Sequence, residues 1–156
     1  MNRQIVIEAP NPQYGPYDVT KVFLGGGISN CPPWHDYFLR RIQGFNCDYT
    51  IYNPRRADFD VSDPNQSVIQ IKWEHDHLHM SDIIVFWFPC ETLCPITLFE
   101  LGKYCQPNGR SLIVGCHPDY KRKTDVIEQM KLARPGFKVH EDLNDVINEL
   151  QYALTY

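Results

Sequence analysis

A chain of 156 residues, 43% apolar and 22% charged, has ordinary globular composition and enough length for one core but not two. With 15 basic against 19 acidic side chains its net charge is −4, which excludes the basic footprint of a protein that binds nucleic-acid polymers or an anionic membrane surface. The six cysteines are scattered without a C-x-x-C pair, and the apolar run near Gln4 is too short for a secretion signal. A single-domain, reduced, cytoplasmic protein with free thiols is expected.

Gln4 to Ala9 is a short β-prone run closed by Pro10, suited to a sheet edge. Lys21 to Leu24 is the first core strand, and it runs into Gly25-Gly26-Gly27-Ile28-Ser29-Asn30-Cys31-Pro32-Pro33-Trp34. Glycines at a strand end let backbone approach a ligand closely, and a helix over about 33–43 points its first amides at the same place. Tight turns also need glycine for steric reasons alone, so Gly26 and Gly27 are candidates rather than a signature.

Asp48 to Tyr52 reads as the next strand, followed by Asn53-Pro54-Arg55-Arg56, where a guanidinium can hold a phosphate or orient a carboxylate. A polar loop over 57–65 leads to Asp63-Pro64, an N-cap and first-turn proline that start a helix reaching about His79. On that helix Glu74 lies on the face of Ile71 and Leu78, so a carboxylate borders a packed surface. His75 and His79 have the i, i+4 spacing of zinc ligands, but the glutamate of H-E-x-x-H is missing and no third ligand is set by spacing. Helix-end histidines without a metal are the better account, and no cofactor is expected.

Ile83 to Phe88 is an unbroken apolar run of strand length, the mark of a central parallel strand covered on both faces. Pro95 then opens a helix to about Gly102 in which Glu100 stands among Leu98, Phe99 and Leu101, where the pattern asks for core. A helix that follows a strand's carboxyl end delivers its early residues to the ligand crevice of an open α/β sheet, so Glu100 is the first candidate for chemistry. Ser111 to Gly115 is a further strand, Asp125 to about Leu132 a helix with Thr124 as N-cap, Phe137 to Val139 a short strand, and His140 to Tyr152 a closing helix.

The ordered set Val22-Phe-Leu-Gly-Gly-Gly-Ile-Ser-Asn-Cys-Pro-Pro-Trp34, Asn53-Pro-Arg-Arg56, Trp73-Glu74, Ser81-Asp82 and Cys94-Pro-Ile-Thr-Leu-Phe-Glu-Leu-Gly102 resembles the nucleoside 2-deoxyribosyltransferase family, in its variant group with a Gly-Gly-Ile-x-x-Cys-Pro turn. The resemblance covers about residues 20–130. It implies that Glu100, in its Glu-Leu-Gly context, is the nucleophile, and that Glu74 helps hold sugar and base. It also implies that Asp125 serves a neighbouring subunit and that the carboxylate of the terminal Tyr156 reaches a site. Deoxynucleosides and nucleobases are the implied small-molecule partners, in a homo-oligomer whose pockets neighbouring subunits complete. The apolar tail Leu150 to Tyr156 agrees with burial in such an assembly. One departure is the interval Cys94-Pro-Ile-Thr97, where many members carry an aspartate and relatives acting on nucleoside monophosphates carry a Gly/Ser-rich loop.

Strand and helix alternate throughout, which predicts an α/β, flavodoxin-like, doubly wound five-stranded parallel sheet with helices on both faces, in the order 2-1-3-4-5. The expected function is transfer of 2-deoxyribose between bases through a covalent ester on Glu100, with Glu74 as second catalytic carboxylate. Gly26, Gly27, Trp34, Arg55, Phe88, Asp125 and Tyr156 are the expected binding residues; Trp34, Phe86 and Phe88 are candidates for stacking on the base, and Phe86 and Phe88 fit plain core equally well. The alternatives are an N-glycosidase acting on nucleosides or their 5′-monophosphates, and a nucleotide-binding module without catalysis.

Overall fold

The structure is a computed structural model that describes residues 1–56, 60, 62–107 and 110–156. The polar connection expected over 57–65 lies partly outside the described residues. Six strands, β1 (Gln4–Glu8), β2 (Lys21–Gly26), β3 (Tyr49–Asn53), β4 (Ile83–Phe88), β5 (Ser111–Cys116) and β6 (Val139–His140), form one sheet in the order β1-β3-β2-β4-β5-β6. Every pairing is parallel. Five helices, α1 (Trp34–Ile42), α2 (Pro64–Met80), α3 (Pro95–Tyr104), α4 (Lys123–Ala133) and α5 (Leu143–Thr155), alternate with the strands.

Parity along the strands divides the core in two. Val22 and Leu24 on β2, with Ile83, Val85 and Trp87 on β4, pack on one face against Phe38 and Ile42 of α1 and Val146, Ile147 and Leu150 of α5. Phe23, Ile84, Phe86 and Phe88 turn to the other face, against Trp73 and Leu78 of α2, Leu101 of α3, and Val126 and Met130 of α4. Successive strand residues point to opposite faces, so an unbroken apolar run is what a strand sandwiched between helix layers requires.

Leaving aside β1, the strands follow the expected 2-1-3-4-5 order, but the sheet has six strands rather than five. The added strand is the edge run at Gln4–Glu8, whose side chains are mostly exposed, with only Ile7 buried. An edge strand can be held by its backbone ladder and needs little apolar surface, which is why it reads weakly in sequence. Here Arg3 strengthens the edge, donating from its backbone N–H to Asp48 Oδ1 at 2.8 Å and from its guanidinium to Asp18 Oδ2 at 3.0 Å. The helix before β4 starts as expected, with the Asp63 carboxylate accepting from the Asn65 N–H at 2.9 Å. The α4 start differs, because Arg122 rather than Thr124 occupies its N-cap position. Among the described residues no helix is long and apolar enough to cross a membrane.

Lys21 opens β2 with its ammonium group buried, 6% exposed, donating to the carbonyls of Pro16 at 2.8 Å and Val19 at 2.9 Å. It therefore closes the turn that feeds the first core strand. Lys21→Met keeps the stem but removes the ammonium donor from both carbonyls, leaving that of Pro16 only the Val19 N–H at 3.3 Å, so urea denaturation is expected to show a loss of about 2 kcal/mol. An unchanged midpoint would show that the turn closes without the ammonium group.

Candidate active site

The chain turns sharply after β2 and again after β4, and the two turns meet. A Cβ on Gly26 would stand 2.4 Å from Trp34 Cζ2 and 2.5 Å from the Trp87 carbonyl oxygen, and one on Gly27 would stand 2.9 Å from Cys94 Sγ. Bare backbone is thus the only chain that fits between β4 and α1 at this point. Trp34 locks the turn from below, its indole N–H donating to the Gly27 carbonyl at 2.9 Å. Opposite, Cys94 holds a left-handed φ of 51° at the start of α3, a conformation costly for a residue with a side chain. That reversal presents the first turn of α3 to the glycines. Burial pushes the Cys94 thiol up to about 12, so at neutral pH it is an unreactive SH group.

A cavity of about 410 Å³ opens between the glycine turn, α2 and α3. Glu74 and Gln70 come to it from α2, Thr97 and Glu100 from α3, and Arg56 from the segment after β3. Its rim is apolar where Ile71 and Ile96 stand, 66% and 63% exposed. Because α2 precedes β4 and α3 follows it, residues far apart in sequence share one cavity at the carboxyl edge of the sheet.

The two glutamates dominate its electrostatics. Glu100 is only 9% exposed, and its Oε2 is buried with no hydrogen-bond partner among the described residues. Burial, and secondarily the nearby Glu74 charge, raise its pKa from 4.5 to about 8, while Lys103 pulls in the opposite direction. Burial likewise raises the Glu74 carboxyl, partly offset by the Gln70 amide, which donates to Glu74 Oε1 at 2.8 Å. Burial raises both carboxyls, and the Glu74 charge raises Glu100 further, so in the resting cavity Glu100 is the member that holds a proton at neutral pH. One ionised and one protonated carboxyl form a nucleophile and an acid, the combination that N-glycoside chemistry needs.

The other expected residues are distributed differently. Gly26 and Gly27 line the cavity, and Trp34 supports their turn rather than lining it. Arg55 points away, donating to the Pro32 carbonyl at 3.3 Å, and its neighbour Arg56 takes the place in the lining, where it also donates to Gln66. Both arginines lie in the segment after β3, outside any strand, so the choice between them was set by the fold and not by a side-chain period. Phe88 is fully buried and packs against Tyr120 at 5.1 Å between ring centroids, so no face of it is presented to this cavity. Asp125 lies in the groove between α3 and α4, paired with Arg122 at 2.9 Å, and Tyr156 is 90% exposed against Tyr152. Neither borders the cavity of its own chain.

His77 is a core residue, stacked on Trp73 at 4.0 Å with its ring nitrogens on the Trp73 and Gln13 carbonyls, whereas His79 meets the Tyr104 hydroxyl at 2.9 Å. Sequence reasoning missed Gln70 and Thr97. Gln70 had a readable signal, since it stands four residues before Glu74 and so shares its helix face.

A family model described as "Nucleoside 2-deoxyribosyltransferase like" matches residues 19–120, a span that contains the glycine turn, both glutamates and the whole cavity lining. No curated protein matches the sequence.

Proposed function

Because the chain belongs to the nucleoside 2-deoxyribosyltransferase-like family, we propose that it moves 2-deoxyribose from one nucleobase to another through an ester on Glu100. The observation that carries this reading is the juxtaposition of Glu100 and Glu74 in one cavity with both carboxyls raised. A Glu100 oxygen attacks C1′ of the deoxynucleoside as the C1′–N bond breaks, and the bond's electron pair leaves with the base. The proton that Glu100 holds in the resting site passes to Glu74 when the nucleoside binds, which leaves Glu100 as the attacking carboxylate, and Glu74 gives that proton to the departing base. The glycosyl ester on Glu100 is then attacked at C1′ by a nitrogen of the incoming base, which surrenders its proton to Glu74 and frees the Glu100 carboxylate. Each turnover returns both groups to their starting states, and no redox partner or cofactor enters the balance.

Incubation with a deoxynucleoside and a different free base tests this reading, with appearance of the exchanged nucleoside expected. Release of base without exchange overturns it in favour of an N-glycosidase. Arg56 in the cavity lining, beside Ser29 and Ser67, is the feature that favours that second reading for a 5′-monophosphate substrate. Binding without turnover of either kind points to a nucleotide-binding module.

The same reading gives Asp125 and Tyr156 a role only across a subunit boundary, since neither borders its own cavity. Leu93, Ile96, Phe99 and Ile71 are half or more exposed on and beside α3, an apolar surface at the cavity mouth suited to a second copy. Sedimentation is expected to show a homo-oligomer, with specific activity falling on dilution as the assembly dissociates. A fully active monomer sinks the shared-pocket arrangement.

A further inference from the structure

Gln70 has a constrained amide. Its Nε2 donates to the Pro54 carbonyl at 2.8 Å and to Glu74 Oε1 at 2.8 Å. A peptide carbonyl only accepts, so the amide cannot be flipped without setting oxygen against oxygen, and the nitrogen side is assigned by chemistry. Both donor hydrogens are consequently spent inside the protein. The opposite atom, Oε1, is buried and has no donor among the described residues. Gln70 lines the same cavity as Glu100, whose Oε2 is the other buried cavity acceptor in that condition. A buried acceptor left unpaired is destabilising, and a native protein keeps one where something else supplies the donor.

Resting on the functional reading above, we propose that Gln70 is a specificity-determining acceptor whose Oε1 receives an N–H or O–H donor of the bound nucleoside. The oxygen is held in orientation from both sides, by a main-chain carbonyl at the end of β3 and by the carboxyl group of Glu74. A ligand atom that pairs with it is therefore placed relative to Glu74 as well, linking recognition to the acid one helical turn away. A deoxynucleoside carries suitable donors on the base, as amino groups or ring N–H groups, and on the sugar, as the 3′- and 5′-hydroxyls. A nucleoside that lacks the relevant donor leaves a buried oxygen unpaired, which is how a polar pocket rejects close analogues.

The test pairs deletions on the protein with deletions on the ligand. Dissociation constants are measured by calorimetry in a Glu100→Gln background, where bound nucleoside is not turned over, with and without Gln70→Met, and with Gln70→Leu as a second replacement. The ligands are 2′-deoxyadenosine, purine 2′-deoxyriboside without the amino group, 2′,3′-dideoxyadenosine without the 3′-hydroxyl, and 2′,5′-dideoxyadenosine without the 5′-hydroxyl, together with the corresponding cytidine series. With Gln70 present, removing one of these donors is expected to weaken binding about tenfold or more, and with Met or Leu at position 70 the same removal is expected to have little effect. Loss in the amino arm assigns the donor to the base, and loss in either hydroxyl arm assigns it to the sugar. If each of the three removals weakens binding equally with and without Gln70, the residue acts only by orienting Glu74 and the proposal is overturned. If wild-type protein neither binds nor exchanges any deoxynucleoside, the functional reading falls and takes this one with it.

Discussion

Glu100→Gln is expected to fold and to lose base exchange by roughly 10³-fold or more, the scale set by removal of a covalent nucleophile. The replacement is nearly isosteric and its cavity is already built around a neutral group, since burial and Glu74 hold the Glu100 carboxyl up to about 8. An amide retains the volume but cannot donate the electron pair that forms the glycosyl ester. A stability effect alone reaches about 1 kcal/mol for an ordinary substitution, too little to account for such a loss in a protein that remains folded. Mass spectrometry of the wild-type protein with a slowly processed deoxynucleoside should show one deoxyribosyl adduct, on the peptide that contains Glu100. Glu74→Gln should leave the ester able to form with bases that depart without protonation, and slow the others. Near-normal exchange by folded Glu100→Gln protein eliminates the covalent route and returns Glu100 to a structural role.

The second large effect is on stability, and its sign follows from the same burial. In the unfolded chain the Glu100 carboxyl titrates near 4.5, and in the folded protein near 8. Below pH about 4.5 both states keep the proton. Between the two values the unfolded chain releases it while the folded protein retains it, so stability falls as pH rises, and above about 8 the whole penalty of a buried anion is present. The difference between the two values sets an upper bound of roughly 4–5 kcal/mol. Glu74 adds to the loss in the same direction. Urea unfolding at pH 5 and pH 9 should therefore show a marked alkaline loss in wild-type protein and a much smaller one in Glu100→Gln. Parallel profiles for the two proteins would mean that Glu100 ionises freely in its cavity. The direction is what a catalytic group demands, because the environment that makes a carboxylate reactive also makes it costly to hold.

Much of this architecture was legible because it depends on local composition. Ile83 to Phe88 can only be a strand covered on both sides, Asp63-Pro64 starts a helix wherever it is followed by one, and Glu100 is conspicuous because a carboxylate interrupts an apolar helix face. Those features read correctly since hydrophobic period and capping chemistry act over a few residues. The strand order around β2 and β4 followed from the alternation of elements, whereas the edge strand at Gln4–Glu8 is held mainly by backbone bonds that leave little mark on side-chain pattern.

What only the tertiary structure decided is the direction of individual side chains. Arg55 and Arg56 are indistinguishable as letters, yet one turns to the Pro32 carbonyl and the other to the cavity. Phe88 belongs by strand parity to the face beneath α2, α3 and α4, and neighbouring rings close over it. Gln70 carries no anomaly of composition, and its significance arises because Pro54, 16 residues earlier, is brought to its amide by the fold. Periodicity determines which face of an element is buried, but a site depends on which atoms of separate elements end a few ångströms apart. That is decided by packing among residues remote in sequence.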